Sequence, residues 1–396
     1  MLDPKKYVID LKKIRPGTKV LVRADLNLSL GHEQLDESIR ILRTIPLIKS
    51  LIKKKAHITI LTHLGRPNFG FDAIFSTGHL RSLLERVYGV KVALDARWPY
   101  VKNEPRVNNE STILLAENVR FLKGETENDP ELSRLMAEGY DIYIQEAFAT
   151  MHRQHASNYG IIDYLPSYIG PLFAKELEAL KAIQDFEHPK VAVIGGGKSS
   201  GKLQFVRKLV QEFDTILLGG QMSTLFMVAS ENLMGGASFD SELVAEAKEI
   251  LKLSENQNYA NIILPKDVWV SNSGNLSLKT VPLSVDSKAN LVDIGPLTID
   301  LFRDFIMESG GVLQNGPMGI IENSRCFEGT RSILQLMSQS QAVTILGGGD
   351  TAAAIRKADI DLYSFDFVST GGGAMLYGIT HDEIPSLKKI EACWCT

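Results

Sequence analysis

The segment 342–354, AVTILGGGDTAAA, brings together residue types that do chemistry as a group. Val343–Leu346 is a short β-branched and apolar run with the character of a buried strand. Gly347–Gly349 follow, then Asp350 and Thr351, then alanines that begin a helix. A strand that feeds a helix through glycines presents backbone N–H groups at the positive helix end, where phosphate oxygens bind. A carboxylate beside a bare phosphate would repel it. With Mg²⁺ between them, held by one carboxylate and phosphate oxygens, the same carboxylate becomes a ligand. The segment predicts a magnesium-nucleotide phosphate site, with a plain tight turn as the alternative.

The pattern recurs upstream. Glycine turns follow strand-like runs at Gly195–Gly197, Gly219–Gly220 and Gly371–Gly373, and another such run exits into Asn315-Gly-Pro-Met-Gly. In GGGKSSGKL, Gly196 to Lys202 comes one residue short of a P-loop, because Leu203 stands where a magnesium-binding hydroxyl belongs. Lys198 and Lys202 beside glycines at a helix start still favour phosphate contact over surface solvation. The first half offers a different set: Arg23, Asp25 and Asn27 after KVLVR, His63 and Arg66 after HITIL, Arg120 after TILL, and Arg153 one loop beyond DIYI. Guanidinium forks suit carboxylates and phosphates. Arg40 belongs with them, while Arg23 and Arg43 can equally be structural. His152 and His155 are spaced as a metal pair could be, but without further ligands nearby they fit packing or an anion role better. Cys393-Trp-Cys395 is too isolated for zinc, and Asn128-Asp-Pro reads as a helix cap.

One half for an anionic metabolite and one for a nucleotide implies group transfer. Phosphoryl transfer asks the protein for alignment and positive charge rather than covalent chemistry. That accounts for motifs that supply cations and N–H groups but no Ser-His or Cys-His pair.

The elements that must position these residues alternate. Strands are expected at Lys19–Arg23, His57–Leu61, Thr112–Leu115 and Asp141–Ile144, with helices at Ile39–Leu51 and Leu80–Val87 between them. Such alternation predicts βαβ units and a largely parallel sheet, with ligands beyond the carboxyl ends of the strands. The pattern breaks at Leu165–Ser167 and Gly170–Pro171. Leu172–Gln184 is then a helix that joins two domains. Strands resume at Val191–Ile194, Thr215–Leu218, Asn261–Leu264, Gly311–Leu313, Val343–Leu346 and Asp366–Ser369, with a surface helix over Phe239–Ser254. The expected fold is α/β: two doubly wound parallel-sheet domains, 1–171 and 187–383, joined by a hinge helix at 172–186 across a central cleft.

Composition sets the bounds. At 396 residues the chain exceeds one ordinary core. Its 44% hydrophobic and 23% charged residues are those of a globular protein, and a net charge of −4 disfavours a general nucleic-acid or membrane binder. Three cysteines (Cys326, Cys393, Cys395) are too few for a disulfide framework, and no apolar run reaches the ~20 residues of a membrane helix. The expectation is a soluble cytoplasmic protein.

These motifs, in this order and spacing, resemble phosphoglycerate kinases over essentially the whole chain. The likeness rests on VLVRADLN (20–27), DESIRILRTIP (36–46), THLGRP (62–67), LLAENVRF (114–121) and EAFATMHRQHAS (146–157), then on IGGGKSSGKL, LLGGQM, DIGPLT, NGPMG, GGGDTAAA and STGGGA. The resemblance implies reversible transfer of the acyl phosphate of 1,3-bisphosphoglycerate to MgADP, giving 3-phosphoglycerate and ATP. It implies that Asp25, Asn27, His63, Leu64, Gly65, Arg66, Arg120 and Arg153 hold the 3-phosphoglycerate end, and that Arg40 is the catalytic arginine. Lys198 would follow the transferring group, and Lys202 the nucleotide phosphates. Gly219 and Gly220 would line the adenine pocket; Asn315 and Pro317 would lie near the nucleotide, and Glu322 at the ribose. Gly348, Gly349, Asp350 and Thr351 would hold the phosphates, Asp350 on Mg²⁺, with Gly349 and Gly372 at the transfer point. It further implies a monomer whose tail, 384–396, packs back on the N-terminal domain. Departures stand at Gln145, Glu146, Ala149, Gly201, Gln221, Gln314 and Tyr377. They leave room for one other reading, a non-catalytic nucleotide- and metabolite-binding paralogue.

Overall fold

A computed structural model describes residues 4–28, 38–100, 112–231, 233–234, 239–272, 274–281, 283–284 and 290–394. Asp36 and Glu37 of the DESIRILRTIP segment, and Cys395, lie outside them. The chain forms two compact units, one of Met1–Glu178 with His381–Thr396 and one of Ala179–Thr380.

In the first unit the strands are β1 (Lys19–Arg23), β2 (His57–Leu61), β3 (Lys91–Asp95), β4 (Thr112–Ala116), β5 (Ile142–Gln145) and β6 (Ser167–Ile169). They form one sheet in the order β3-β4-β2-β1-β5-β6, every pairing parallel. The central strand KVLVR is buried on both faces, which its continuous apolar run requires. Helix α1 (Ile39–Lys53) lays Ile41, Thr44, Leu47, Ile48 and Leu51 against the core, a spacing of three and four that makes one helical face. Helices α2 (Arg81–Tyr88) and α3 (Pro130–Ala137) complete the crossovers, and Asp129 caps α3 by accepting the Leu132 N–H at 2.7 Å. Register decides where the site falls. Arg23 pairs with both Leu61 and Gln145, so the segments after β1, β2 and β5 leave the sheet side by side.

Helix α4 (Pro171–Gln184) follows β6. Its first turn is capped from a distance: both carboxylate oxygens of buried Glu146 accept the Leu172 N–H, at 3.2 and 3.1 Å, and one also accepts the Phe173 N–H at 3.3 Å. Gly170 leaves room for that carboxylate, since a Cβ there would lie 2.0 Å from Oε2. The last helix of the chain, α12 (Pro385–Trp394), packs in the same unit. Trp394 meets Tyr7 and Tyr168 edge-on and its indole N–H donates to Ser167 O at 3.0 Å, covering the edge strand β6.

The second unit repeats the layout with β7 (Lys190–Ile194), β8 (Thr215–Leu218), β10 (Asn261–Ile263), β15 (Gly311–Asn315), β16 (Val343–Gly347) and β17 (Phe367–Ser369), in the order β10-β8-β7-β15-β16-β17, all parallel. Ile194, Asn315 and Gly347 stand in register, as do Ile194 with Leu218 and Gly347 with Ser369. The glycine turns therefore emerge in one row, four of them opening helices α5 (Ser200–Glu212), α6 (Gly220–Ala229), α10 (Gly349–Lys357) and α11 (Gly372–Thr380). Helices α7 (Ser241–Ser254), α8 (Pro296–Met307) and α9 (Glu328–Gln339) pack alongside. A short parallel pair joins β9 (Leu233–Met234) to β13 (Leu283–Ser284), and an antiparallel sheet runs β12 (Asn275–Thr280), β11 (Asp267–Asn272), β14 (Asn290–Ile294).

The sequence reading places no strand at β3, β6 or in this small sheet. β3 and β6 are edge strands, and β6 has three residues, too short for a periodicity to register. β12 is almost wholly exposed, so it carries no apolar alternation.

Glu146→Ala would strand two buried first-turn N–H groups of α4. The expected cost is about 2 kcal/mol, seen as a thermal midpoint lower by several degrees, with Glu146→Gln losing less. A Glu146→Ala protein that melts with wild type would remove the capping role.

Candidate functional site

In the first unit the loops after β1, β2, β4 and β5 interlock at the carboxyl edge of the sheet. Arg23 is buried and spends its guanidinium internally: Nε donates to Ser157 Oγ at 3.1 Å, one terminal nitrogen to Ala24 O at 2.7 Å, and the other lies 3.2 Å from His63 Nδ1. Ser157 passes the interaction on, donating its hydroxyl to Glu125 Oε1 at 2.6 Å and its N–H to Oε2 at 2.9 Å. Glu125 is fully buried, and burial raises its carboxyl above the usual range, with the Arg23 charge and the Ser157 hydrogen bonds offsetting part of the rise. Arg23 thus has a structural task, one of the two alternatives open to it from sequence.

His63 is held well below the usual imidazole range, first by burial and then by Arg23, Arg120, Arg153 and Arg40. It is neutral, and with Nδ1 accepting from Arg23 its proton sits on Nε2, which makes it a donor toward an anion. Asp25 Oδ1 accepts the Asn27 N–H at 3.2 Å and Oδ2 pairs with Arg40 Nε at 3.3 Å; Arg40 also donates to Asn27 O. Asn27 Oδ1 in turn accepts the Gly65 N–H at 2.8 Å. Arg120 donates to Gly65 O, and Asn118 fixes this loop from below, its amide reaching Leu64 O at 2.8 Å and Phe75 O at 2.9 Å.

Arg66, Arg120, Arg153 and His155 line one cavity of about 820 Å³, with Phe69 and Lys123 at its wall. Glu127 lines the same cavity, Glu125 lies 3.9 Å from His155 Nδ1 and Asp25 acts on Arg153, so their charge is offset in part. Burial, then Arg153, Arg23 and Arg66, bring Arg120 down to about 10, and burial with the neighbouring arginines lowers Arg153 as well. His155 is brought to about 4 by burial and the arginines, and His152, which accepts from Arg153 Nε at 3.3 Å, also to about 4. The arrangement concentrates guanidinium groups on one cavity wall, a chemistry that suits a small anion. Asn118, Glu125 and Ser157, which organise it, escape the sequence reading. Each is an ordinary polar residue on a loop, and only the fold brings it under the arginines.

In the second unit the turns after β7, β8 and β15 share backbone hydrogen bonds. Gly196 N–H donates to Pro317 O at 2.6 Å, Gly220 N–H to Met318 O at 2.9 Å, and Gln221 N–H to Gly196 O at 3.1 Å. The fit admits no side chain: a Cβ on Gly195 would meet Pro317 O at 2.1 Å, and Gly220, at φ +55°, would meet Gly196 N at 2.6 Å. A cavity of about 670 Å³ opens here, between the strand followed by α5 and the strand followed by α9, where the sheet order reverses. Lys198, Gly220, Gln221, Asp293, Pro317, Glu322 and Asp350 are on its wall. Gly219 packs on Met318 behind it.

Lys202 donates from Nζ to Gly195 O at 2.6 Å; burial lowers it to about 8, against the Asp350 charge. Asn315 binds Gly347 O at 3.0 Å, and Gly348 and Gly372 approach so closely that a Cβ on Gly372 would lie 2.5 Å from Gly348 Cα. The Thr351 hydroxyl is taken, accepting the Gly316 N–H at 3.1 Å and donating to Gly347 O at 3.0 Å, which fixes the turn that Gly349 and Asp350 begin. Asp350 itself is exposed on the first turn of α10. The buried carboxyl of Asp293, raised to about 7 by burial, ties the end of β14 to α9 through the Gly329 N–H at 2.9 Å, a role no motif announces.

The lowered histidines set a pH dependence. Between pH 6.5 and about 4 the unfolded chain binds protons at His152 and His155 that the folded chain refuses, so their contribution to stability falls as pH drops through that window. The raised carboxyls of Glu125, Glu146 and Asp293 contribute in the opposite direction. Inorganic phosphate among the arginines raises these pKa values and should lessen the fall in thermal midpoint. His155→Asn should flatten it too; a slope unchanged by both would refute the assignment.

The sequence matches the family profile described as phosphoglycerate kinase over residues 10–381. It is 36% identical over 394 residues to a phosphoglycerate kinase of Thermosipho africanus, covering 96% of each chain. It is 34% identical over 382 residues to one of Pseudothermotoga lettingae, covering 94% of this chain and 95% of the relative. Its fold matches the solved phosphoglycerate kinase of Coxiella burnetii with a TM-score of 0.78 at 34% identity, covering 96% of this chain and 97% of that one. It matches that of Pyrococcus horikoshii with a TM-score of 0.87 at 26% identity, covering 98% and 99%. A sheet edge gathering arginines, a second lined by glycine turns and lysines, and this likeness along nearly the entire chain lead to one statement: the chain belongs to the phosphoglycerate kinase family.

Proposed function

We propose that this kinase transfers the acyl phosphate of 1,3-bisphosphoglycerate to MgADP, reversibly, with 3-phosphoglycerate on the first unit and the nucleotide on the second. The observation that carries the reading is one chain with two dissimilar anion sites: an arginine cavity suited to a compact metabolite, and a glycine-walled cavity with Lys198 and Asp350 suited to a nucleotide. Neither nucleophile needs a general base, since an ADP phosphate oxygen and a carboxylate are both already ionised. The protein's work is alignment and charge. Arg66, Arg120, Arg153, Asn27 and the His63 Nε2–H bind and orient the metabolite. Arg40, steadied by Asp25 and Asn27, stabilises charge on the moving group together with Lys198 and the N–H groups at Gly349 and Gly372. Lys202 and Asn315 hold the turns at the nucleotide phosphates, while Gly219, Gly220, Pro317 and Glu322 bound the rest of the nucleotide.

Asp350 fits Mg²⁺ as a single carboxylate. Among the described residues no group of three or more His, Cys, Asp or Glu forms a cage, and a Mg²⁺ shared with phosphates needs one or two carboxylates. Bound there, Mg²⁺ would neutralise phosphate charge and orient the terminal oxygens.

Transfer requires both substrates to meet, so we place a hinge at 172–186 between domains 1–171 (with 384–396) and 187–383, and read the enzyme as a cytoplasmic monomer. Small-angle scattering should show compaction only with both substrates bound; unchanged profiles would count against closure.

In a coupled assay Arg40→Ala should lower turnover roughly 10³-fold while sparing MgADP binding. Asp350→Ala should weaken MgADP use and leave 3-phosphoglycerate binding intact. Equal loss of both ligands in Asp350→Ala would undo the two-site assignment, and a wild type that binds both without turnover would overturn catalysis.

A further inference from the structure

Lys198 lies in the turn just before α5 and Lys202 in the first turn of that helix, and the structure holds them differently. Lys202 is buried and hydrogen-bonded to Gly195 O. Lys198 places its ammonium 3.7 Å from the centroid of the Phe239 ring. Phe239 is half-buried just ahead of α7 and lines the same cavity as Lys198, Gln221 and Asp350. The adjoining Asp240 carboxylate is engaged at the α7 N-terminus, where it accepts the Glu242 N–H at 2.9 Å.

The choice of an aromatic partner matters. A carboxylate would fix a lysine by neutralising it, and one is at hand in Asp350, whose charge already acts on Lys202. A ring face attracts the cation through its quadrupole while leaving its full charge and its outward N–H donors unspent. It also restricts a chain that otherwise loses much rotamer freedom when a ligand fixes it.

We propose that Phe239 is a positioning residue for Lys198: its ring holds the ammonium at the cavity wall as an un-neutralised cation, so that the moving phosphoryl group meets a charge already in place. The inference rests on the role proposed above for Lys198. It assigns Phe239 no contact with the reacting atoms, and places its effect in the transition state rather than in nucleotide binding.

The test uses the full-length protein, with kcat from the coupled assay and MgADP Kd from calorimetry. Phe239→Leu keeps apolar bulk but loses the quadrupole; kcat should fall roughly two- to fivefold with Kd unchanged. Phe239→Tyr should retain wild-type kcat. In a Lys198→Ala background Phe239→Leu should cost nothing further, which a merely structural role would not predict. Phe239→Met serves in the same comparison if the leucine variant melts early. The same fractional loss in both backgrounds, an altered Kd with kcat intact, or no change at all would overturn the inference alone. Absence of wild-type turnover would overturn the reaction and this inference with it.

Discussion

Arg23, Arg66, Arg120 and Arg153 converge on one sheet edge, and their mutual repulsion is only partly offset from within. One buried carboxylate, Glu125, acts through Ser157 on Arg23. Burial first, and then the remaining charges, lower the pKa values of Arg120, Arg153, His63 and His155. A protein that keeps such a cluster stores an unfavourable field which a bound polyanion relieves, so affinity and local stability draw on the same interaction. The neutral state of His63 follows from this. Among so many cations an imidazolium would be costly, while a neutral imidazole donating from Nε2 still recognises an anion.

The second unit solves the complementary problem. A nucleotide's phosphates bear several charges close together, and at the site proposed for them they would be offered backbone N–H groups that carry no counter-charge needing solvent. The requirement is backbone approach, which is why Gly195, Gly220, Gly316 and Gly372 stand where a Cβ would meet main-chain atoms within 2.6 Å. The residues that hold these turns are not the ones free to meet phosphate. Thr351 spends its hydroxyl on Gly316 and Gly347, and Asn315 its amide on Gly347, leaving Asp350 and Lys198 at the cavity. A motif such as GGGDT therefore contains both framework and contact residues, side by side.

How far sequence reaches follows the same division. The buried parallel strands were legible because each is a continuous apolar run, and the residues just beyond them were legible because parallel sheets place ligands there. β3 and β6 were not, because an edge strand need not be apolar on both faces. The exposed β12 carries no pattern at all. At the sites, arginines, lysines and glycines stood out by type and spacing. Asn118, Glu125, Ser157, Phe239 and Asp293 did not, since their roles exist only through partners distant in sequence. Two departures from the family pattern acquire a local account. Gln145 accepts the Ala147 N–H at 3.1 Å, and Glu146 caps α4. Gly201 is sterically unforced, with open space where a Cβ would stand, and nothing in the structure explains the buried Gln314 amide, which lacks a partner among the described residues.

The two sites differ in how their charge is kept available, and the difference matches what each must do. In the proposed reaction the metabolite's 3-phosphate keeps its charge while the acyl phosphate leaves, so the arginines that would bind it can be held rigidly, as the network through Asp25, Asn27, Gly65 and Asn118 allows. A cation that accompanies a moving phosphoryl group cannot be tied to a carboxylate without losing the charge that makes it useful. In the role proposed for it, Arg40 would meet that demand with a guanidinium broad enough to face Asp25 and Asn27 O and still keep a terminal nitrogen for the moving group. Lysine has a single point charge and no spare edge. Resting it on the Phe239 ring is a way to hold it without spending it, and the same logic explains why the more buried Lys202, hydrogen-bonded to a carbonyl, belongs with the framework.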